Sequence, residues 1–159
     1  MLKRVRYLFE PGKIGGMEVP NRIVMPAMGT NYANTDGTVS KQLVDYYTER
    51  AKGGVGLIIV EISCVARGGK ASPNQVCVWG DEFIPGLRTL VDGVHSFGSK
   101  IALQLHHAGR QTIFSTNNQQ PIAPSPIATK ILRELPREMT IGEVEALVEA
   151  YGEAARRAR

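Results

Sequence analysis

The chain has 159 residues, 43% apolar and 21% charged, with a formal net charge of +4. That is enough for one domain with a sizeable core, and no apolar run is long enough for a membrane-spanning helix. The excess positive charge sits at the two ends, in Lys3, Arg4 and Arg6 and in Arg156, Arg157 and Arg159, with no aromatic residues interleaved. That distribution argues against a nucleic-acid surface. Met1 to Arg6 is basic, but no apolar stretch of the signal-peptide kind follows, so secretion is not expected. Cys64 and Cys77 are too few for a disulfide framework or a thiolate metal site, and are expected to be reduced thiols of a cytoplasmic protein.

Along the chain, Gly15-Gly16 between Ile14 and Met17 predicts a short hairpin. Ile23-Val24-Met25 reads as a short buried strand stopped by Pro26, followed by a polar loop from Gly29 to Thr38. Ser40 is placed to cap a helix whose apolar face carries Leu43, Tyr47 and Ala51 and which stops at Gly53-Gly54. Leu57-Ile58-Ile59-Val60 is apolar at every position, the mark of a strand covered on both faces in a parallel sheet. After a loop holding Gly68, Gly69 and Pro73, the spacing of Leu87, Leu90, Val91, Val94 and Phe97 predicts a second helix ended by Gly98. A third strand spans Ile101 to Leu105. A proline-punctuated segment then runs from Thr112 to Pro136. Thr140-Ile-Gly-Glu143 is a capping-box pattern opening a helix with Val144, Leu147, Val148, Tyr151 and Ala155 on its apolar face.

A hairpin followed by three β/α units argues for an α/β fold with a parallel sheet. A doubly wound open sheet and a (β/α) barrel compete. The glycines of Gly53-Gly54-Val55-Gly56 precede a strand, so the dinucleotide fingerprint, which follows one, is absent. The last helix reaches Arg159 without a stop signal, and three units cannot close a barrel of eight. The expectation is either a small open sheet or the front part of a larger fold, apparently truncated at its C-terminus.

In α/β folds ligands sit beyond the carboxyl ends of the strands. Those ends are Pro26-Ala27-Met28-Gly29-Thr30, Glu61-Ile62-Ser63-Cys64 and Gln104-Leu105-His106-His107-Ala108-Gly109-Arg110, and each leads into a long loop. Strand alternation puts Ala102, Gln104 and His106 on one face, with Ile101, Leu103 and Leu105 toward the helices. Gln104 would then be a buried amide needing partners for its oxygen and its nitrogen. A flat heterocycle or neighbouring backbone would satisfy it equally well. His106 and His107 lack acidic or cysteine partners at metal-ligand spacing, so no metal site is expected. His107 is expected to bond within its loop or to a ligand, and Arg110 to meet an anion or solvent. Glu61 is an acid–base candidate whose plainer role is bonding to backbone at a strand end. Met28 would face a ligand or fill a core.

Together, Asn21-Arg-Ile-Val-Met-Pro-Ala-Met-Gly29, Gly54-Val-Gly-Leu-Ile-Ile-Val-Glu61, Gln104-Leu-His-His-Ala-Gly-Arg110, Pro121-Ile-Ala-Pro-Ser125 and Ala154-Ala-Arg-Arg-Ala-Arg159 resemble the old yellow enzyme family of flavin-dependent ene-reductases. The likeness runs from Leu8 onward. It is most similar to the 2-enoate reductase and 2,4-dienoyl-CoA reductase branch, above all at Met25-Pro-Ala-Met-Gly-Thr-Asn31.

The resemblance implies that residues 1–159 are one incomplete FMN-binding domain, the N-terminal part of a (β/α)8 TIM barrel. It implies that Pro26, Ala27, Met28, Gly29, Ile62 and Gln104 contact FMN, with Gln104 on the pyrimidine edge. His107 and Arg110 are candidate ligand contacts. Ile62 stands where the family has a small residue, and Gly29 where relatives carry a side chain that tunes the flavin. In the implied reaction NADH or NADPH reduces FMN, and hydride passes from flavin N5 to the β-carbon of an activated alkene such as an enoate or dienoyl thioester. A polar pair that polarises the substrate carbonyl would lie beyond Arg159, as would any iron–sulfur cluster. No catalytic residue is therefore assigned, and the piece alone is expected to be inactive. The implied partners are a small-molecule alkene and, as an open expectation, further copies of the chain. The rival readings are a non-catalytic α/β fragment and one half of a split barrel that needs a second chain.

Overall fold

The computed structural model describes residues 6–159, so Lys3 and Arg4 lie outside the described residues. A single 3-10 turn, Arg6–Leu8, leads into the hairpin β1 (Gly12–Ile14) and β2 (Met17–Val19), paired antiparallel. Its turn holds Gly15 at φ +58°, a conformation glycine adopts without strain.

Three parallel strands follow, in the spatial order β3 (Val24–Met25), β4 (Leu57–Cys64) and β5 (Lys100–His106). The helices α1 (Lys41–Lys52) and α2 (Ile84–His95) connect them, and α4 (Ile141–Ala158) follows β5. Ser40 caps α1 by accepting from the Leu43 N–H, and both reciprocal bonds of the Thr140–Glu143 capping box are formed at α4.

The helices lie on one face of the sheet. Leu43, Tyr47 and Ala51 of α1 and Leu90 and Val94 of α2 pack on Met25, Ile58 and Val60, all buried. Leu147, Tyr151 and Ala154 of α4 close on Leu103, Leu105, Val65 and Val78. The opposite face carries Val24, Ile59, Ala102 and Gln104, none of them fully buried. Among the described residues, β3 and β5 each pair only with β4, so the sheet has two open edges.

Several boundaries differ from the sequence expectations. β4 continues four residues past Val60, because its distal half pairs with β5 and with Cys77, through a Cys64 N–H to Val76 carbonyl bond of 2.8 Å. α2 ends at His95, and Phe97 projects to solvent from the turn at Gly98 rather than packing on the helix face. The segment expected as loop contains a one-turn helix, α3 (Phe114–Asn117), and a strand pair, β6 (Ile122–Ala123) with β7 (Arg137–Glu138). The buried side of α4 follows Leu147, Tyr151 and Ala154. Val144, Val148 and Ala155, expected in the core, are exposed alongside Ile141.

These two helix-facing patterns predict opposite outcomes in chemical denaturation. Ile58→Ala, at the centre of the core, should cost about 2–5 kcal/mol. Val148→Ala should change stability by less than about 0.5 kcal/mol. A large loss at Val148 would mean that the outer side of α4 is covered in solution.

Candidate functional site

The carboxyl ends of β3, β4 and β5 form a rim, and one irregularity decides its composition. The β4–β5 register runs Val60↔Leu103 and then Ile62↔Gln104, so Glu61 is an extra residue in a β-bulge. Without the bulge, alternation from Ile58 and Val60 would send Ile62 toward the helices. With it, Ile62 lies opposite Gln104 on the helix-free face.

The bulge also frees the Glu61 side chain to reach α1 and the loop after β3. Glu61 is 1% exposed, and its Oε2 accepts three hydrogen bonds. The donors are the Thr30 N–H at 3.1 Å, the Thr30 hydroxyl at 2.7 Å and the Tyr47 hydroxyl at 3.2 Å. Tyr47 in turn accepts from the Glu61 N–H at 2.9 Å. Burial, aided by the adjacent carboxylate, raises the Tyr47 phenol above its ordinary value and keeps it a neutral donor. Tyr46 stacks edge-on against Tyr47 and Tyr32, and the Arg50 guanidinium lies 3.6 Å over the Tyr46 ring.

The Pro26–Thr30 loop is therefore tied down at its distal end. Pro26, Met28 and Gly29 are exposed and Ala27 is half-buried. A Cβ built on Gly29 would meet only Ile62, at 4.0 Å, which puts the loop directly beside the rim. Met28 is 52% exposed, so among the described residues it fills no core. Gln104 is exposed as well, not the buried amide that alternation suggested. The face it shares with Ala102 has no covering layer among the described residues. Its amide has no hydrogen-bond partner among the described residues.

The histidines behave as neutral loop-bracing groups. Gln75, 1% exposed, accepts the Ala71 N–H through Oε1 at 2.6 Å, which orients its Nε2 as the donor toward His106 Nδ1 at 3.2 Å. His106 Nδ1 is then an acceptor, and the proton of the neutral ring belongs on Nε2. His107 Nδ1 accepts from the Gly109 N–H at 3.1 Å, and its ring lies so close to Gly69 that any Cβ there would collide with it. Desolvation lowers the affinity of both rings for a second proton, and the neighbouring His106 adds to the effect at His107. Arg110 is exposed and donates to the Ile127 carbonyl at 3.3 Å, so its partner in this structure is backbone rather than an anion.

Around this rim, Thr112 and Asn117 both donate to the Lys70 carbonyl, and the Lys70 ammonium reaches the Thr35 carbonyl at 3.0 Å. Cys64 and Cys77 are free and buried, and burial pushes the thiols up to about 11 and about 12. Neither has the low pKa of a reactive cysteine. Among the described residues no group of three or more His, Cys, Asp or Glu side chains could hold a metal ion. Sequence reasoning missed Thr30, Gln75 and the polar role of Tyr47. Thr30 and Gln75 sit in irregular segments, where no periodicity exposes a buried polar contact. Tyr47 was legible only as a member of an apolar helix face.

Because the folded state lowers the pKa of both histidines below 6.5, protonation favours unfolding. The stability is fully present above pH ~6.5 and falls as pH drops from there through the folded-state values. The urea midpoint measured between pH 7.5 and 5.5 should decline accordingly, and His106→Asn should flatten part of that slope. A pH-independent midpoint in the unsubstituted chain would contradict the desolvated placement of the two rings.

The model of the NADH:flavin oxidoreductase / NADH oxidase family matches residues 7–159. An NADH oxidase of Thermoanaerobacter brockii is 47% identical over 154 residues, covering 96% of this chain and 24% of that protein. The old yellow enzyme homologue of Zymomonas mobilis superposes with a TM-score of 0.86 at 28% identity, over 95% of this chain and 44% of that one. A 2-naphthoyl-CoA reductase in complex with 2-naphthoyl-CoA superposes with a TM-score of 0.90 at 29% identity, over 95% of this chain and 25% of that one. The chain thus spans less than half the length of each of these proteins, and its three parallel β/α units have the architecture of the N-terminal part of their TIM barrel. The chain belongs to the NADH:flavin oxidoreductase / NADH oxidase family, the family of the old yellow enzymes.

Proposed function

We propose that residues 1–159 form one FMN-binding unit of an incomplete barrel, belonging to an NAD(P)H-dependent reductase of activated alkenes. The observation that carries this reading is the Gln104 amide, without a hydrogen-bond partner among the described residues and set opposite Ile62, whose other neighbour is the exposed Gly29. A flat ring system with an apolar body and a polar edge fits that combination. Pro26, Ala27, Met28 and Gly29 would lie along the ring, and Gln104 with the Ile62 backbone would meet its polar edge. The lack of a side chain at Gly29 leaves room beside Ile62 rather than a group that tunes the ring.

FMN would supply hydride transfer from NADH or NADPH to the alkene. This chain's own residues bind and orient. Gln104 would offer both a donor and an acceptor to the ring edge. His107 and Arg110, now bonded within their loops, are the candidate contacts for a substrate. The neutral His106 presents its Nε2–H as a donor without adding charge at the rim. An enoate or dienoyl thioester is the favoured substrate class. It agrees with the wording around Met25–Asn31 and with the aromatic acyl-CoA thioester named for the structurally similar 2-naphthoyl-CoA reductase. No helix among the described residues is long and apolar enough to cross a membrane, and the thiols of Cys64 and Cys77 suit the cytoplasm. On this reading the polar pair that polarises the substrate, and any iron–sulfur cluster, are not among residues 1–159, and further copies of the chain remain candidate partners.

The test is a chimera in which residues 1–159 replace the matching part of the T. brockii NADH oxidase. It should purify yellow and bind FMN, and Gln104→Leu should weaken FMN binding about tenfold, the loss of roughly one hydrogen bond. A folded chimera that stays colourless and ignores added FMN would remove the flavin reading. The 159-residue chain alone should turn over no enoate; turnover at the chimera's rate would contradict its assignment as an incomplete site.

A further inference from the structure

We infer that Glu61 is a positioning residue for the cofactor rim: its buried carboxylate clamps the loop after β3 at Thr30 and so fixes the adjoining Met28–Gly29 segment, with Gly29 beside Ile62. The inference deepens the flavin reading and rests on it. Three features support it. First, Glu61 is the bulge residue itself, so the same backbone irregularity that turns Ile62 toward Gln104 sends the carboxylate toward the loop. Second, Thr30 supplies two of the three bonds to Oε2, one from backbone and one from side chain, which fixes both the position and the orientation of that residue. Third, no basic side chain pairs with Glu61 among the described residues, so a buried carboxylate is held entirely by neutral donors. Leaving a buried carboxyl oxygen without its donors carries a desolvation cost, so loosening the clamp is penalised. Tyr47 braces the arrangement from α1 by bonding both the carboxylate and the Glu61 N–H.

The loop has few alternative anchors near the rim. Beyond Thr30 the Ala33 N–H bonds the Asn74 carbonyl at 3.2 Å, and the Asn31 side chain accepts from the Asn74 N–H at 2.9 Å. Both contacts hold the loop from Asn31 onward against the segment after β4. Thr30 is thus the anchor next to the residues proposed to line the ring.

Glu61→Gln keeps the shape and an acceptor oxygen, Glu61→Leu removes the acceptor, and Thr30→Val removes the hydroxyl that donates to Glu61 and also accepts from the Tyr32 N–H at 3.1 Å. Two measurements separate the clamp from the flavin reading. Amide hydrogen exchange on the chain itself should show Thr30 exchanging at least about tenfold faster in Glu61→Leu, with Glu61→Gln in between and the β4 core amides little changed. In the FMN-loaded chimera, the FMN dissociation constant should rise about tenfold in Glu61→Leu and less in Thr30→Val, with a shift of the flavin absorption bands. Thr30→Val and Glu61→Gln carry the test if Glu61→Leu does not fold. Uniform acceleration across β4 would reduce Glu61 to a support of the strand and overturn the inference. So would faster Thr30 exchange with unchanged FMN affinity and spectrum, and that result would leave the flavin reading standing. An unsubstituted chimera that takes up no FMN would remove the flavin reading, whatever Thr30 does.

Discussion

The arrangement of the rim depends on one extra residue in one strand. Inserting Glu61 between Val60 and Ile62 changes which face every later residue of β4 presents. Before the bulge, Ile58 and Val60 point into the helix layer and are buried with Met25, Leu43 and Tyr47. After it, Ile62 stands opposite Gln104. The extra residue is a carboxylate, and burial obliges it to find donors. It finds them on a helix and on a loop, which couples the outer layer of the fold to the rim through a single oxygen. Packing, strand register and the placement of candidate cofactor contacts are therefore one problem at this position.

The loops beyond the strands are held by the same economy of buried polar groups. Gln75 uses its oxygen on its own loop and its nitrogen on His106. The Lys70 carbonyl gathers donors from Thr112 and Asn117, more than forty residues away in sequence, while its ammonium crosses to Thr35. Each of these groups would carry a desolvation cost if left alone. Together they make long polar loops into a fixed border. The histidines take part as neutral rings, so they add no positive charge to that border near neutral pH.

Much of this was legible in the sequence, for identifiable reasons. The apolar run at Leu57–Val60, the helical spacing from Leu87 to Val94 and the capping box at Thr140 each express one local rule, and each element formed where the rule put it. Gln104 was placed on the correct face by simple alternation, though its burial was not, because burial depends on what lies across the face and not on the strand itself. The bulge was not legible: no glycine marks it, and Glu61 reads as an ordinary strand-end residue. The position of Ile62 came only through resemblance. The outward side of α4 was misread for a related reason, since Val144 and Val148 fit a helical stripe but are exposed. The β6–β7 pair consists of two-residue strands, too short for any periodic signal.

The margins of β3 and β5, unpaired among the described residues, have a further consequence for the behaviour of this polypeptide. An open parallel margin is a ready template for backbone pairing with any extended segment of compatible register. The exposed stripe of Ile141, Val144 and Val148 on α4 adds an apolar surface that can meet other copies. Net positive charge slows encounters between copies at low ionic strength, but salt screens that protection within about 10 Å. Solubility should therefore fall with rising salt as well as with rising protein concentration, and a strand that zips onto the β5 margin would restore it.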